Sequence, residues 1–259
     1  MNENKLKTMI KQDRAAIGSW ITLADAAVVE LLGLAGYDFA LIDMEHASLD
    51  YQTVENMIRA AEMIGITPLV RVGQNQENVI LRVMESGAHG VVVPHVVDRA
   101  SAVQAVQAAK YEPLGIRGIS AMTRAARWTT VDFGEHVRTS NEQTMVIPMV
   151  EDREGIENIE EILSTEGVDV VMIGPADLAR SYGVTSEKNP PIVRDAIEHA
   201  AAAARRVGRA RLGMPIFHSA FNRGYRELVE MGVRFITYST DASVLVRAWK
   251  ENLRSARES

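Results

Sequence analysis

Three ionisable side chains follow one apolar segment near residue 40. The run from Phe39 to Ile42 is followed directly by Asp43, Glu45 and His46. Strand ends are rigid and open to solvent on one side, which is where α/β enzymes place their chemistry. His46 could act as a general base, since the unperturbed pKa of histidine is about 6.5, and a structural hydrogen bond is the alternative. We take Asp43 and His46 as candidate catalytic residues; the spacing leaves open whether Asp43 or Glu45 contacts the imidazole.

Three further charged residues stand where other apolar runs end: Arg71, Glu151 and Asp177. A buried Arg71 needs an anion, so it is predicted to clamp a carboxylate or enolate oxygen of a substrate, or to pair with a structural acid. Glu151 and Asp177 supply oxygen ligands of the kind that Mg²⁺ or Mn²⁺ prefers. The alternative is that each acid caps the helix that follows it.

The elements that must position these residues are short apolar runs alternating with segments of helical periodicity. The predicted strands are Ile17–Thr22, Asp38–Asp43, Thr67–Val72, Gly90–Pro94, Thr144–Val150, Asp169–Gly174, Arg211–Phe217 and Arg234–Ser239. The predicted helices between them include Ala24–Leu34, Tyr51–Ile64, Gln76–Glu85, Arg99–Tyr111, Arg153–Thr165 and Pro191–Val207. This alternation predicts a single (β/α)8 TIM barrel domain over residues 1–259, in which the strand ends converge on one mouth.

The connecting segments are of two kinds, for which we expect different roles. The segments 33–38, 85–90 and 230–235 each read as helix, glycine, small apolar residue and strand, which is typical of turns at the face of a barrel opposite its mouth. The irregular stretch 112–131 contains Arg117, Arg124 and Arg127. A loop of that length predicts an active-site or interface role.

Composition excludes several classes of protein. The net charge is −6 without a run of basic residues, so a nucleic acid is not expected as a partner. The chain has no cysteine, which excludes disulfides and thiolate metal sites. The N-terminus lacks the apolar core of a secretory signal, and no apolar run approaches the ~18 residues of a membrane span. We therefore expect a cytoplasmic protein that does not bind a membrane.

Lysine and glycine positions argue against two kinds of barrel chemistry. No lysine falls within a predicted strand, so Schiff-base catalysis is not favoured. The segments after the seventh and eighth predicted strands are not glycine-rich, so phosphorylated substrates are not expected.

Several blocks of the sequence resemble one enzyme family. These blocks are residues 38–46, 68–71, 90–94, 111–118 and 173–178, together with Glu151. In content and order they resemble the HpcH/HpaI aldolases, which are metal-dependent (class II) pyruvate aldolases on a phosphoenolpyruvate/pyruvate-type barrel. The resemblance implies cleavage of a 4-hydroxy-2-oxo acid, such as 4-hydroxy-2-oxoheptanedioate or 2-dehydro-3-deoxyglucarate, to pyruvate and an aldehyde, and the reverse addition.

The resemblance also implies roles for individual residues. Glu151 and Asp177 match the carboxylates that bind a divalent metal ion, here Mg²⁺, Mn²⁺ or Co²⁺. Arg71 matches the arginine that stabilises the pyruvate enolate, and His46 matches the histidine of the base machinery. The backbone that holds the pyruvate carboxylate corresponds to Gly174, Pro175, Ala176 and Asp177.

Two positions depart from the family pattern. Glu85 stands where some members carry an aspartate that pairs with the histidine, and we take it as a candidate catalytic residue. Met149 stands where many members carry a glutamine that can hydrogen-bond the oxo acid, and methionine cannot donate that bond. This departure predicts an altered nucleophile or acceptor preference, with loss of activity as the alternative.

The resemblance further implies a homohexamer, a trimer of dimers, in which a C-terminal helix is exchanged between subunits. Residues 241–257 are long enough for that helix.

Two other interpretations of the chain stay open at this point. One is a CoA-ester carbon–carbon lyase of the citramalyl or malyl type, for which no extra C-terminal segment is evident, and the other is a noncatalytic barrel used for binding.

Overall fold

The eight predicted strands form a closed parallel barrel in the computed structural model, which describes residues 3–258. The strands are β1 (Ala16–Ile21), β2 (Phe39–Asp43), β3 (Thr67–Arg71), β4 (Gly90–Val93), β5 (Met145–Val150), β6 (Val170–Ile173), β7 (Arg211–Pro215) and β8 (Val233–Thr240). Each pairs with its neighbour in the chain, and β8 closes on β1. The (β/α)8 prediction is confirmed, with strand ends that differ by no more than two residues.

Helices surround the barrel. They are α1 (Lys5–Lys11), α2 (Ala26–Leu34), α3 (Tyr51–Ile64), α4 (Glu77–Glu85), α5 (Arg99–Ala109), α6 (Phe133–Gln143), α7 (Arg153–Glu157), α8 (Ile159–Ser164), α9 (Pro175–Ser181), α10 (Pro191–Val207), α11 (Tyr225–Glu230) and α12 (Asp241–Glu258). The helix predicted over Arg153–Thr165 is broken at Asn158, whose side-chain amide donates to the Val97 carbonyl. Asparagine favours such local hydrogen bonds over a continuous helix.

The barrel interior is filled by inward-facing apolar side chains. Phe39 and Phe235 stack there with ring centroids 4.3 Å apart. Helix α1, which the sequence reading missed, places Leu6 and Ile10 in the same cluster. The Asn4 side chain donates to the carbonyl of His89, at the start of β4. Helix α1 therefore packs at the N-terminal end of the strands, and the opposite end is left for the mouth.

Strand register brings the charged residues together. Asp43 lies beside Arg71 at the ends of β2 and β3, and Val150 lies beside Ile173 at the ends of β5 and β6. Glu151 and Gly174 follow these last two residues, so they meet at the rim. All of these positions are at the C-terminal ends of the strands, which is where barrel enzymes carry their active sites.

The long loop 112–131 lies away from this rim. It follows the end of α5 and is held to the end of α4: Arg117 Nη2 donates to Glu85 Oε1 at 2.7 Å, and Arg124 Nη1 donates to the Ser86 carbonyl at 2.9 Å. The loop exposes Ile119, Met122 and Trp128. Of the two roles predicted for it, an interface role fits this position better than a role in the mouth of the same chain.

Among the helices of residues 3–258, none combines the length and the apolar character needed to cross a bilayer.

A glycine substitution tests the packing of the interior. A Cβ on Gly18 would lie 2.2 Å from Phe39 Cε2, in a ring already stacked on Phe235. We expect Gly18→Ala to lower the free energy of unfolding by about 1–3 kcal/mol, because overpacking forces the ring out of place. Urea unfolding followed by circular dichroism measures this. Gly118→Ala is the control, since its nearest contact would be an ordinary 3.4 Å to Leu81, and an equal loss in both variants would contradict the packing argument.

Candidate active site

A buried ion pair joins the ends of β2 and β3. Arg71 Nε donates to Asp43 Oδ1 at 2.9 Å, and Arg71 Nη2 donates to Asp43 Oδ2 at 2.6 Å. Both side chains are more than nine-tenths buried, and the guanidinium also lies 4.3 Å from the centre of the Trp20 ring. The bidentate geometry and the aromatic face compensate for burial of the arginine charge.

Glu45 extends this pair toward the solvent. Arg71 Nη1 lies 3.0 Å from Glu45 Oε2, and His46 Nε2 lies 3.8 Å from the same oxygen. Asp43 contributes through its position in the turn, because its Oδ1 accepts the backbone N–H groups of Glu45 and His46. The choice that the sequence left open is therefore resolved: the imidazole of His46 contacts Glu45, while Asp43 binds Arg71.

Glu151 is a buried carboxylate on the adjacent part of the rim. Its Oε1 accepts the backbone N–H of His95 at 3.0 Å. Burial raises the pKa of Glu151 to about 7; the hydrogen bond and charge of His95 oppose that increase, and the negative charges of Glu45 and Asp177 add to it. These electrostatic effects place Glu45, Glu151 and Asp177 within one shared field.

Gly174 makes room for Glu151. A Cβ on Gly174 would lie 2.6 Å from Glu151 Oε2 and 2.7 Å from Met149 Cε. Glycine is thus required where β6 meets α9, because any side chain would displace the carboxylate. Pro175, Ala176 and Asp177 form the first turn of α9, whose leading N–H groups have no partner within the helix. Met149 itself faces the barrel interior.

Asp177 is held by a residue of its own helix. Arg180 Nε donates to Asp177 Oδ1 at 2.9 Å, and Arg180 Nη2 lies 3.6 Å from Asp152 Oδ1. The other oxygen of Asp152 lies 2.9 Å from His95 Nδ1. A chain of charged groups therefore runs from Asp177 through Arg180 and Asp152 to His95, which contacts Glu151.

The sequence did not lead us to expect His95, Trp20 and Arg180 in this cluster. His95 follows β4 in the way that His46 follows β2, so the same strand-end rule would have found it. Its φ of 52° is unusual for a residue with a side chain. Burial lowers the pKa of His95, but the hydrogen bond to Asp152 and the charges of Glu151, Asp152 and Glu45 outweigh burial and raise it.

Glu85 does not lie with the other predicted residues. It ends α4, beside the loop that leads to the start of β4, and its carboxylate pairs with the buried guanidinium of Arg117. Since β3 spans five residues, its two ends are roughly 13 Å apart at ~3.3 Å per residue. Within one chain the structure therefore does not bring Glu85 to His46, because helix α4 runs from the mouth to the opposite face.

The donor set fits a divalent cation better than a structural ion pair. Glu151 is buried, and neither an arginine nor a lysine of the described chain forms an ion pair with it; its one ion-pair partner is His95. Such a carboxylate is expensive to ionise unless a cation binds it. In residues 3–258 no group of three or more acidic or histidine side chains is arranged to hold a metal, so Glu151 and Asp177 would share the ion with substrate or water.

Removal of the Asp43 carboxylate tests the ion pair. We expect Asp43→Asn to lower the free energy of unfolding by about 2–3 kcal/mol, because it leaves the buried Arg71 charge with Glu45 alone. Urea unfolding of the metal-free protein measures this. Glu55→Gln is the matched control, since it removes the partly exposed partner of Arg59 and should cost less than about 0.5 kcal/mol. Equal, small losses in both variants would show that the Asp43–Arg71 pair does not organise the mouth.

Comparison with known proteins places the chain in one family. The sequence profile of the HpcH/HpaI aldolase/citrate lyase family matches residues 16–248. A 4-hydroxy-2-oxo-heptane-1,7-dioate aldolase of Escherichia coli is 36% identical over 247 residues, which cover 95% of this chain and 92% of that protein.

Solved structures agree with this assignment. An HpcH/HpaI aldolase/citrate lyase family protein from Burkholderia cenocepacia J2315 superposes with a TM-score of 0.90 at 33% identity, covering 98% of this chain and 99% of the other. The citrate synthase SbnG superposes with a TM-score of 0.85 at 27% identity, covering 98% and 97%. The predicted class of carbon–carbon lyase is confirmed by these relatives, and the chain belongs to the HpcH/HpaI aldolase/citrate lyase family.

Proposed function

We propose that the protein is a divalent-metal-dependent (class II) aldolase that cleaves a 4-hydroxy-2-oxo acid to pyruvate and an aldehyde and catalyses the reverse addition. The observation that carries this proposal is the carboxyl of Glu151. It is buried, its pKa is raised, and it lies in the electrostatic field of Asp177 and Glu45. Glu45 in turn forms an ion pair with Arg71. The name of the Escherichia coli relative supports the substrate class.

The cofactor we propose is Mg²⁺, Mn²⁺ or Co²⁺, held by Glu151 and Asp177. When bound, such an ion supplies Lewis-acid polarisation of an oxo acid. Both ligands are oxygen donors, which suits these ions: Glu151 follows β5, and Asp177 lies in the first turn of α9, which follows the neighbouring strand β6.

Arg71 is proposed to bind the oxygen on which charge develops. A guanidinium has five N–H donors; two of those of Arg71 donate to Asp43, and Nη1 lies 3.0 Å from Glu45 Oε2. The remaining N–H groups are proposed to donate to the enolate oxygen. Because Asp43 fixes the orientation of the guanidinium before substrate binds, little reorganisation is needed as the charge forms.

His46 is proposed to take part in proton transfer. In the cleavage direction a base removes the proton of the C4 hydroxyl, the C3–C4 bond breaks, the aldehyde leaves, and the pyruvate enolate receives a proton at C3. The imidazole is 64% exposed and touches Glu45, so it can reach both substrate and water. Asp43 then acts through the turn that presents His46, as a positioning residue.

The first turn of α9 is proposed to hold the pyruvate carboxylate. In the segment Gly174, Pro175, Ala176 and Asp177, the N–H groups of Ala176 and Asp177 have no partner within the helix, whereas Pro175 has no N–H and the Gly174 N–H donates to the Val150 carbonyl. Met149 lies on the same rim and lacks the hydrogen-bonding group of glutamine. We therefore propose that the preference for nucleophile or acceptor differs from that of members with glutamine.

A role for Glu85 in catalysis requires a second copy of the chain, since Glu85 lies at the opposite end of its own barrel. We propose a hexamer, a trimer of dimers, with α12 exchanged between subunits. Val246, Trp249 and Leu253 recur on one face of α12 and are 46%, 64% and 51% exposed, which supports a partner on that face.

No specific observation favours the two other interpretations of the chain. A CoA-ester lyase of the citramalyl or malyl type stays an alternative within the family. A noncatalytic barrel does not explain why the Asp43–Arg71 clamp and Glu151 are kept at one rim. A single domain over residues 1–259, a cytoplasmic location, small oxo acids and aldehydes as substrates, and the expectation of neither a nucleic-acid nor a membrane partner stay proposals from the sequence.

Exchange of pyruvate protons tests the proposed function. With Mn²⁺, the EDTA-stripped wild-type protein is expected to exchange the pyruvate methyl protons in D2O, followed by NMR, because enolate formation precedes carbon–carbon bond formation. Glu151→Ala should lower the rate by about 10²- to 10³-fold, since a main charge-stabilising group is lost. Glu154→Ala, an exposed position on the neighbouring helix, should leave the rate unchanged.

Failure of wild-type protein with Mn²⁺ to exchange these protons would reject the pyruvate-aldolase proposal. In that case release of acetyl-CoA or a related thioester from a citramalyl-type substrate would be the next assay.

Mass measurement tests the proposed exchange of α12. Light scattering after gel filtration should give about six times the 28.5 kDa of one chain for the wild type. Trp249→Glu with Leu253→Glu should reduce this mass, because two charges would enter an apolar interface. Glu251→Lys is the control, because at 100° per residue Glu251 lies about 140° to 160° around the helix from these three apolar residues. An unchanged mass in the double variant would contradict exchange.

A further inference from the structure

The guanidinium of Arg180 is paired with one of the two carboxylates proposed to bind the metal ion. Arg180 Nε donates to Asp177 Oδ1 at 2.9 Å, and the two residues are one turn apart on α9. The other proposed metal ligand, Glu151, has no such cation, since its ion-pair partner in the described chain is His95. The two ligands therefore differ: Asp177 is already neutralised, whereas Glu151 is not.

Arg180 also has a second acid within reach. Its Nη2 lies 3.6 Å from Asp152 Oδ1. The hydrogen bond and charge of Asp177 raise the pKa of Arg180, and the charges of Asp152 and Glu151 raise it further. Asp152 is anchored on its other side by His95, so it is a fixed acceptor near the guanidinium.

The contact between Arg180 and Asp177 is easy to break. The Arg180 side chain is 56% exposed, and exposed ion pairs contribute little to stability. A divalent cation bound to Asp177 would repel a guanidinium held on the same carboxylate. The guanidinium can avoid that repulsion with a small movement, because Asp152 already lies beside it.

We propose that Arg180 is an internal competitor of the metal ion: it binds Asp177 in the metal-free protein and moves to Asp152 when a divalent cation binds. This inference rests on the proposed metal site of Glu151 and Asp177, and it assigns a regulation of that site. Arg180 lowers the affinity for the ion and keeps the Asp177 carboxylate neutralised when the ion is absent.

A neighbouring arginine provides a matched control. Arg153 on α7 pairs with Glu157 one turn later, and both side chains of that pair are exposed. Its guanidinium contacts neither Asp177 nor Asp152 in the ion pairs that it forms. Replacement of Arg153 therefore removes one positive charge near the same rim and leaves the Asp177 carboxylate as it was.

Titration calorimetry of Mn²⁺ into EDTA-stripped protein tests the proposal. We expect Arg180→Gln to lower the dissociation constant by about two- to fivefold, the range expected for loss of one exposed ion pair. Arg153→Gln should leave it unchanged. The difference between Arg180→Gln and wild type should shrink as NaCl is added, because exposed charges are screened. In an Asp177→Asn background, Arg180→Gln should have no further effect.

Several outcomes would overturn this inference. An unchanged or larger dissociation constant in Arg180→Gln would do so while leaving the metal site intact. An equal gain in Arg153→Gln, or a gain that persists in the Asp177→Asn background, would reduce the effect to loss of one positive charge. If neither wild type nor Arg180→Gln binds Mn²⁺, the inference and the metal site of the proposed function both fail.

Discussion

A buried arginine at the end of β3 needs negative charge around it, and the mouth of this barrel is built on that need. Arg71 receives both oxygens of Asp43, one oxygen of Glu45 and the face of Trp20. The parallel register places Asp43 beside Arg71 without any loop rearrangement. Glu45 then has a fixed position, and the imidazole of His46 is placed against it. The charge of Arg71 thus orders Asp43, Glu45 and His46 in turn.

Glu151 shows the opposite condition at the same rim. Its carboxyl is buried next to other acids, and burial raises its pKa to about 7. Local stability would favour an apolar side chain at this position, as it does for buried charges in general. The free-energy cost of burying the Glu151 carboxyl is offset if a cation and an anionic substrate complete the site. Gly174, which gives up its side chain to this carboxylate, and the Asp152–Arg180 pair around Asp177 belong to the same arrangement.

Periodicity predicted the barrel well and the contacts within its mouth less well. All eight strands were found because short apolar runs between helical segments leave few alternatives, whereas helix α1 was missed because its pattern covers only seven residues. Residue order could not show that His46 contacts Glu45, since that depends on a turn ordered by Asp43. Glu85 shows a conflict that was already present in the sequence. The segment 85–90 reads as a turn at the face opposite the mouth, and the structure places Glu85 there, so its family role cannot be met within one chain.

Anomalous diffraction from a crystal soaked with Mn²⁺ and pyruvate shows whether Glu151 and Asp177 hold a divalent cation beside Arg71. We expect one anomalous peak within bonding distance of carboxylate oxygens of both Glu151 and Asp177, with pyruvate contacting that peak and Arg71. A peak bound elsewhere, or pyruvate bound at the mouth without any peak between these two carboxylates, would contradict it.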